Sequence, residues 1–492
     1  MSDIDGNGLI PFGLHVVVVT GRPRSAPTPE EVRAICDGFA LARGLTAKEP
    51  VVPAEIVVDT NFAARATETL IDAAATTAGP ARSSTRESDW LAAIDGADAV
   101  IVLVGEVKST AVNTAIARAF ESCALLVRVV VTDRVRVESE RNDIRVRLLQ
   151  QASEHLDEFN RVRLNPARLA TIAAQQLDYW GLSGEAADAP PTARDTADWV
   201  LPYFSRADAA ALEFQHRFLV RSLLIFVCAA LSVAVVAAQV AFAEHDPGYV
   251  WGEVALLAAL FFCYYTNLRN RLHDRWISYR FFAERLRSLY FLTLADDGSP
   301  AATAMTLTGT LDATETWIQR ALREVVSKPH PPRSAEDDAP TVAKYIRRYW
   351  VIDQSNYHAA RAGSLKTRDD VLIGVTVTLF VLTVVAAIFH ALGVGHSKDD
   401  ANGFARLVLL ASIAVPATGA AIHGYSSQRQ FRRHADRYER MVALLNQLAS
   451  HLEGATSLAA VHKLALDVER VTREENGDWF GVMRFEDMEL IT

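Results

Sequence analysis

The chain has 492 residues, half of them hydrophobic, with 50 Lys and Arg against 59 Asp and Glu. That length provides for roughly three domains, and the mildly acidic balance speaks against a protein devoted to nucleic acid. Four cysteines, Cys36, Cys123, Cys228 and Cys263, form no C-x-x-C pair, so neither a zinc site nor a disulfide framework is indicated and a reducing compartment fits.

The opening MSDIDGNGLIPFG lacks the basic segment and apolar core of a secretory signal, which leaves membrane insertion to internal segments. Residues 14–20 (LHVVVVT) read as a β-branched strand, and Thr28-Pro29-Glu30-Glu31 reads as a helix start with a cap, an early proline and early acids. A second β-like run at 55–58 precedes a helical pattern at 63–76 and a polar loop at 82–86. Then follow a helical pattern at 89–94, the apolar run AVIVLV at 99–104, a helical pattern at 110–122 and a strand-like run at 125–132. Apolar runs without alternation, separated by helical patterns, predict a parallel sheet buried on both faces. Residues 1–183 are therefore expected to form a soluble, cytoplasmic, Rossmann-like α/β domain.

Sheets of that kind bind ligands at the carboxyl ends of their strands, where helix N-termini offer free N–H groups to anions. Two loops qualify. The first carries Thr20, Gly21, Arg22 and Arg24, a close-approach glycine with two guanidiniums; the second carries Gly105, Ser109, Thr110 and Asn113. Neither fits the dinucleotide or P-loop fingerprint. Asp59, Glu68 and Asp98 find no His, Ser or Cys at a useful spacing, so no catalytic residue, metal site or cofactor is assigned. The loop pair, the second within GADAVIVLVGEVKSTAVNTAIARA, resembles the SLOG class of Rossmann-like domains. Gly105 and Thr110 match its second loop, whereas Asn113 stands where that class has an acid. The resemblance implies sensing of a nucleotide-like ligand rather than base removal or phosphoribohydrolysis.

Helical patterns at 142–159 and 167–179 lead to an Ala-, Asp- and Pro-rich linker at 184–198. Two apolar runs follow at 222–243 and 249–268, then two more at 371–394 and 407–425, each close to the ~17–25 residues that cross a ~30 Å hydrocarbon core. Arginines crowd the outer flanks of both hairpins: Arg206, Arg217 and Arg221 before the first, Arg269 to Arg287 after it, and Arg361, Arg368, Arg429, Arg432 and Arg433 around the second. By the positive-inside rule the chain is a multi-pass protein of the plasma (inner) membrane with both termini cytoplasmic.

Within the spans, Glu253 is an ionisable group one turn into the second run. Thr376, Thr383 and His390 share one side of the third, either lining a polar path or, for the threonines, bonding to the preceding turn. Pro416 is expected to kink the fourth. Rows of small residues, such as Ala230, Ala234 and Ala238, provide for close helix packing and a homo-oligomer.

A basic helix follows each hairpin, at 269–295 and at 429–452, and an acidic, Trp-bearing segment follows each of those, around Trp317 and Trp479. The repetition suggests duplication into a module at 199–326, a linker at 327–340 and a module at 341–492. The second copy, with Tyr345 to Trp350, Asp353-Gln354-Ser355-Asn356-Tyr357, the hairpin, the basic helix and the close from Glu474 to Trp479, resembles the SLATT domain. That resemblance implies a two-helix membrane effector of prokaryotic anti-phage systems, signalled by a nucleotide-type second messenger or its synthetase, with the lipid bilayer as its target. The alternative kept open is a membrane-anchored enzyme acting on nucleotides or NAD.

Overall fold

The computed structural model describes residues 16–20, 71–72, 99–104, 125–131 and 135–139, most of 152–183, then 189–242, 246–296, 316–327, 331, 334, 337–392 and 403–484. The chain divides into two compact units, Met1–Arg163 with Ala304–His330, and Leu164–Thr303 with Pro331–Thr492.

In the first unit the described strands are β1 (Val16–Thr20), β2 (Ile71–Asp72), β3 (Ala99–Val104), β4 (Leu125–Val131) and β5 (Val135–Ser139). They form one sheet in the order β2-β1-β3-β4-β5. β1 is parallel to β2 and to β3, with Val16 opposite Ala99, and β3 is parallel to β4, whereas β4 and β5 are antiparallel. Helix α5 (Thr316–Ser327) belongs to the same unit and buries Trp317, Ile318, Ala321, Leu322 and Val325 at helical spacing; Trp317 lies 5.8 Å from the Phe159 ring.

The expected fold class requires correction. β-branched runs do specify strands at 16–20, 99–104 and 125–131, but a Rossmann-like domain also needs helices on both faces of its sheet. Among the described residues none of 1–151 is helical, the last strand pair is antiparallel, and about nine in ten described residues of the whole chain are helical. Among the described residues no Rossmann-like α/β domain is seen. The helical patterns read at 28–31, 63–76, 89–94 and 110–122 and the strand-like run at 55–58 lie outside the described residues.

The second unit is built from α1 (Pro166–Tyr179), α2 (Ala193–Phe242), α3 (Pro247–Arg269), α4 (Leu272–Ala295), α6 (Ala339–Ile346), α7 (Asp353–Ala391), α8 (Gly403–Arg429), α9 (Phe431–Glu453) and α10 (Leu458–Arg484). A π-helical stretch, Arg347–Ile352, joins α6 to α7. Asn165 caps α1 by accepting from the N–H of Ala167 (2.9 Å), with Pro166 in the first turn where no donor is needed. At its far end Gly181 turns the chain at φ +68, against the Tyr349 ring.

At 1.5 Å per residue, the 50 residues of α2 extend about 75 Å, far more than a bilayer needs. Its two halves differ accordingly. Val200, Phe204, Ala207, Ala210 and Phe214 are buried in a protein core, while Leu223, Leu224, Val227 and Leu231 stand exposed.

The core of this unit is aromatic. Trp180 stacks on Tyr290 at 3.9 Å, and Phe291 stacks on Trp350 at 4.9 Å. Tyr345 donates its hydroxyl to the carbonyl of Trp180 (2.6 Å) and shares a 2.7 Å hydrogen bond with Tyr290, which also reaches the carbonyl of Ala193 at 3.3 Å. This chain satisfies polar groups of α1, α2, α4 and α6 in a dry interior. Nearby, the buried carboxylate of Asp337 accepts from the hydroxyl and N–H of Thr192 at the start of α2, and the N–H of Ser334 donates to that same hydroxyl oxygen (2.9 Å).

Candidate functional site

Among the described residues four helices are long and apolar enough to cross a membrane: α2, α3, the α6–α7 helix and the α8–α9 helix. α2 packs on α3 and α8, and α8 packs on α7, so the spans form a row with α3 and α7 at its ends. The outward side chains are the large ones. Phe262 is 65 % exposed and Phe380 is 68 % exposed, with Phe261, Val381, Leu382 and Ile388 beside them, an inversion of soluble-protein surfaces that lipid explains.

Small residues face inward. Ser222, Cys228, Ser232, Ala237 and Ala241 are the buried positions of the membrane half of α2, while Ala230 and Ala238 are only half-buried. A Cβ placed on Gly419 of α8 would lie 3.8 Å from the Cβ of Leu379 on α7. Ring contacts join neighbouring spans: Phe226 with Tyr425 at 6.0 Å between α2 and α8, and Phe389 with Phe404 at 6.2 Å between α7 and α8.

Each sequence-selected site residue has a definite status. Thr20 ends β1 opposite Asp72 and Leu103. Gly21, Arg22, Arg24, Gly105, Ser109, Thr110 and Asn113 lie outside the described residues. Glu253 is half-buried in the second turn of α3. Thr376 donates to the carbonyl of Leu372 (2.9 Å) and Thr383 to that of Leu379 (2.8 Å), so both hydroxyls are satisfied by their own helix. His390 lies near the end of α7, and α8 continues as helix through Pro416.

Beneath the row lies a feature that the sequence did not disclose, a cavity of about 250 Å³ lined from α2, α4, α7, α8, α9 and α10. Asp208, Arg280, Glu284, His358, Arg429 and His434 supply its charged and titratable wall. Arg280 bonds to Asp208 (3.3 Å) and Glu284 (2.5 Å), and Glu284 also takes Arg287 at 2.7 Å. Burial pushes the Glu284 carboxyl up, but the Arg280 and Arg287 guanidiniums more than offset this and hold it below the usual carboxylate range.

His358 is 6 % exposed and 13 residues, about 20 Å of helix, before the apolar run begins at Val371. Burial, with help from Arg280, Arg287 and Arg437 and against Glu284, lowers its pKa to about 4, so it is neutral at pH 7. His434 is likewise lowered to about 4 by burial and by Arg437, Arg429 and Arg433. Arg361 and Arg429 complete the wall, the first over the Tyr357 ring and the second over the Phe431 ring.

Sequence reasoning read Arg361 and Arg429 only as flanking charge and passed over His358 and His434. Their convergence depends on six helices separated by up to 264 positions, from Asp208 to Thr472, and no local spacing encodes it. Among the described residues no group of His, Cys, Asp and Glu is arranged to hold a metal ion.

Residues 345–479, from the end of α6 through the hairpin, α9 and most of α10, match the family model "SMODS and SLOG-associating 2TM effector domain 1". That segment is a SLATT domain. Its two membrane helices are α7 and α8, and the matched region includes no residue of the first unit, for which the SLOG-class resemblance gains no support. Comparison with curated proteins and with solved structures returned no match. A SLATT domain, with four apolar helices of membrane-crossing length, makes this a membrane protein carrying a two-transmembrane effector domain of conflict systems.

Proposed function

We propose that the chain is a multi-pass effector of the plasma membrane that permeabilises the bilayer when its N-terminal unit receives a nucleotide-type signal, and that the hairpin of α2 and α3 is a diverged second copy of the SLATT hairpin. The observation that carries this reading is the row of four spans ending in a matched two-transmembrane effector domain. A single row has two ends and no lumen, so conduction requires several copies placed side by side, with the lipid-facing sides of α3 and α7 available as seams. Arginines on α4 and α9 favour the anionic inner face, which places both termini in the cytoplasm. Ligand reception is assigned to the N-terminal unit on the strength of the loops at Gly21 and Gly105 alone.

The test is leakage of an entrapped dye from liposomes holding the purified full-length chain, with and without a panel of nucleotides. Release that depends on one nucleotide is expected. Tight liposomes under every nucleotide, together with an undisturbed membrane potential in phage-challenged cells, would overturn the proposal; turnover of a nucleotide or NAD without leakage would favour the enzyme alternative. A C-terminal reporter responding from the outside would refute the topology.

A further inference from the structure

We propose that the cavity beneath the spans binds a phosphate group, presented either by the headgroup of an anionic phospholipid or by a soluble phosphate compound. Its acids are already engaged: Asp208 by Arg280, and Glu284 by Arg280 and Arg287. Two further guanidiniums on the wall, Arg361 and Arg429, have no carboxylate partner among the described residues and lie against aromatic faces. The Nε of Arg429 is buried without a hydrogen-bond partner, and Arg361 and Arg368 are close enough to repel this charge. Nδ1 of His358, itself 6 % exposed, is also buried without a partner. Buried polar groups left open in this way call for an occupant that supplies acceptors and negative charge.

The chemistry favours phosphate. Two guanidinium forks from different helices and an imidazole N–H provide donors from several directions, suited to a tetrahedral group of oxygens rather than to a planar carboxylate. The volume, about 250 Å³, falls under the ~300–1,000 Å³ of pockets that engulf whole small molecules, so the site fits a phosphate and what is directly attached to it. Placement makes a lipid source accessible. Arg429 is four residues past Tyr425 at the end of the fourth apolar run, and Arg361 is ten residues, about 15 Å of helix, before Val371. Trp276 and Phe431, both buried, provide apolar wall, while Tyr357 and Arg361 open to solvent. This inference is independent of whether the spans conduct.

Full-length protein in phosphatidylcholine nanodiscs would be dialysed against radiolabelled orthophosphate in one arm; in the other, nanodiscs containing phosphatidylglycerol would be examined by native mass spectrometry for retained lipid. Saturable binding in the first arm identifies a soluble source, and retained phosphatidylglycerol in the second a headgroup. Arg429→Gln and Arg361→Gln should each weaken whichever binding is found by about tenfold or more. Arg432→Gln removes an equal charge from the same membrane boundary but from outside the cavity wall, and should change binding by less than about twofold. Should Arg429→Gln fail to fold, Arg429→Lys keeps the charge without the fork and is read in its place. No binding in either arm, or equal binding by all variants, would overturn the proposal.

Discussion

The helices that leave the two hairpins, α4 and α9, begin alike and end in different surroundings. Each is entered through a non-glycine residue in the left-handed region, Arg271 at φ 47 and Gln430 at φ 42, 159 positions apart. At that same offset Leu272 corresponds to Phe431, Trp276 to Ala435, Leu286 to Leu445 and Tyr290 to Ala449, all buried. Yet 17 of the 24 residues of α4 are buried against 7 of the 23 in α9. α4 is the central strut, packed by α2 and α10, whereas α9 lies against α7, the π-helical stretch and α10, and α6 touches both. One entry geometry therefore serves both an interior and a surface helix. What differs is the fate of their arginines: Arg285 must find the buried Glu469 of α10, while Arg432 pairs with Asp436 in water.

The sharpest way to break this comparison is at the buried pair. Arg285→Ala leaves the Glu469 carboxylate alone in the core and should cost about 3–5 kcal/mol, seen as a large drop in the thermal unfolding midpoint of the detergent-solubilised protein. Arg432→Ala should cost less than about 0.5 kcal/mol in the same assay. Next come matched truncations of leucine. Leu286→Ala, in the closed helix, should lose about 2–5 kcal/mol, and Leu444→Ala, 45 % exposed on α9, should be near neutral. Equal losses at the two positions would show that α9 is covered in solution.

A pH series tests the cavity between them. His358 is neutral in the fold with a pKa of about 4 against 6.5 for a free imidazole, so the unfolded chain binds the extra proton between those values. Stability should be fully present above about pH 6.5 and fall on acidification toward pH 4, on the order of 1–3 kcal/mol, and His358→Gln should flatten that slope. A modest effect is expected at the tyrosine chain. Tyr290→Phe removes one hydroxyl but leaves Tyr345 bonded to the Trp180 carbonyl, so a loss of about 1 kcal/mol is expected by thermal unfolding.

Much of the helical unit was legible in the chain. The spans announced themselves by uninterrupted apolar length, and α1 by a helical pattern at 167–179. The strands at 99–104 and near 14–20 and 125–132 were visible in β-branched runs, but the Rossmann-like class inferred from them is contradicted, because strand-forming runs do not by themselves specify what covers a sheet. On α4, Trp276, Tyr279, Phe282 and Leu286 make one apolar side, but Ile277, Phe281, Leu289 and Phe291 fill the remaining sides, and an all-round apolar helix is an interior one. Trp180 is 1 % exposed in the core of the helical unit, so a fragment cut beside it would lose a ring that Tyr290 stacks against.

By itself the sequence determined which stretches enter lipid and where charge gathers beside them, since desolvating a backbone and its charges is a local cost read residue by residue. Only the tertiary structure decided that the hairpins stand in a row, that Arg285 meets Glu469 across 184 positions, and that Arg361, His358 and Arg429 share one cavity. Those outcomes depend on how several helices pack together, and packing is a property of whole faces that no single stretch of chain contains.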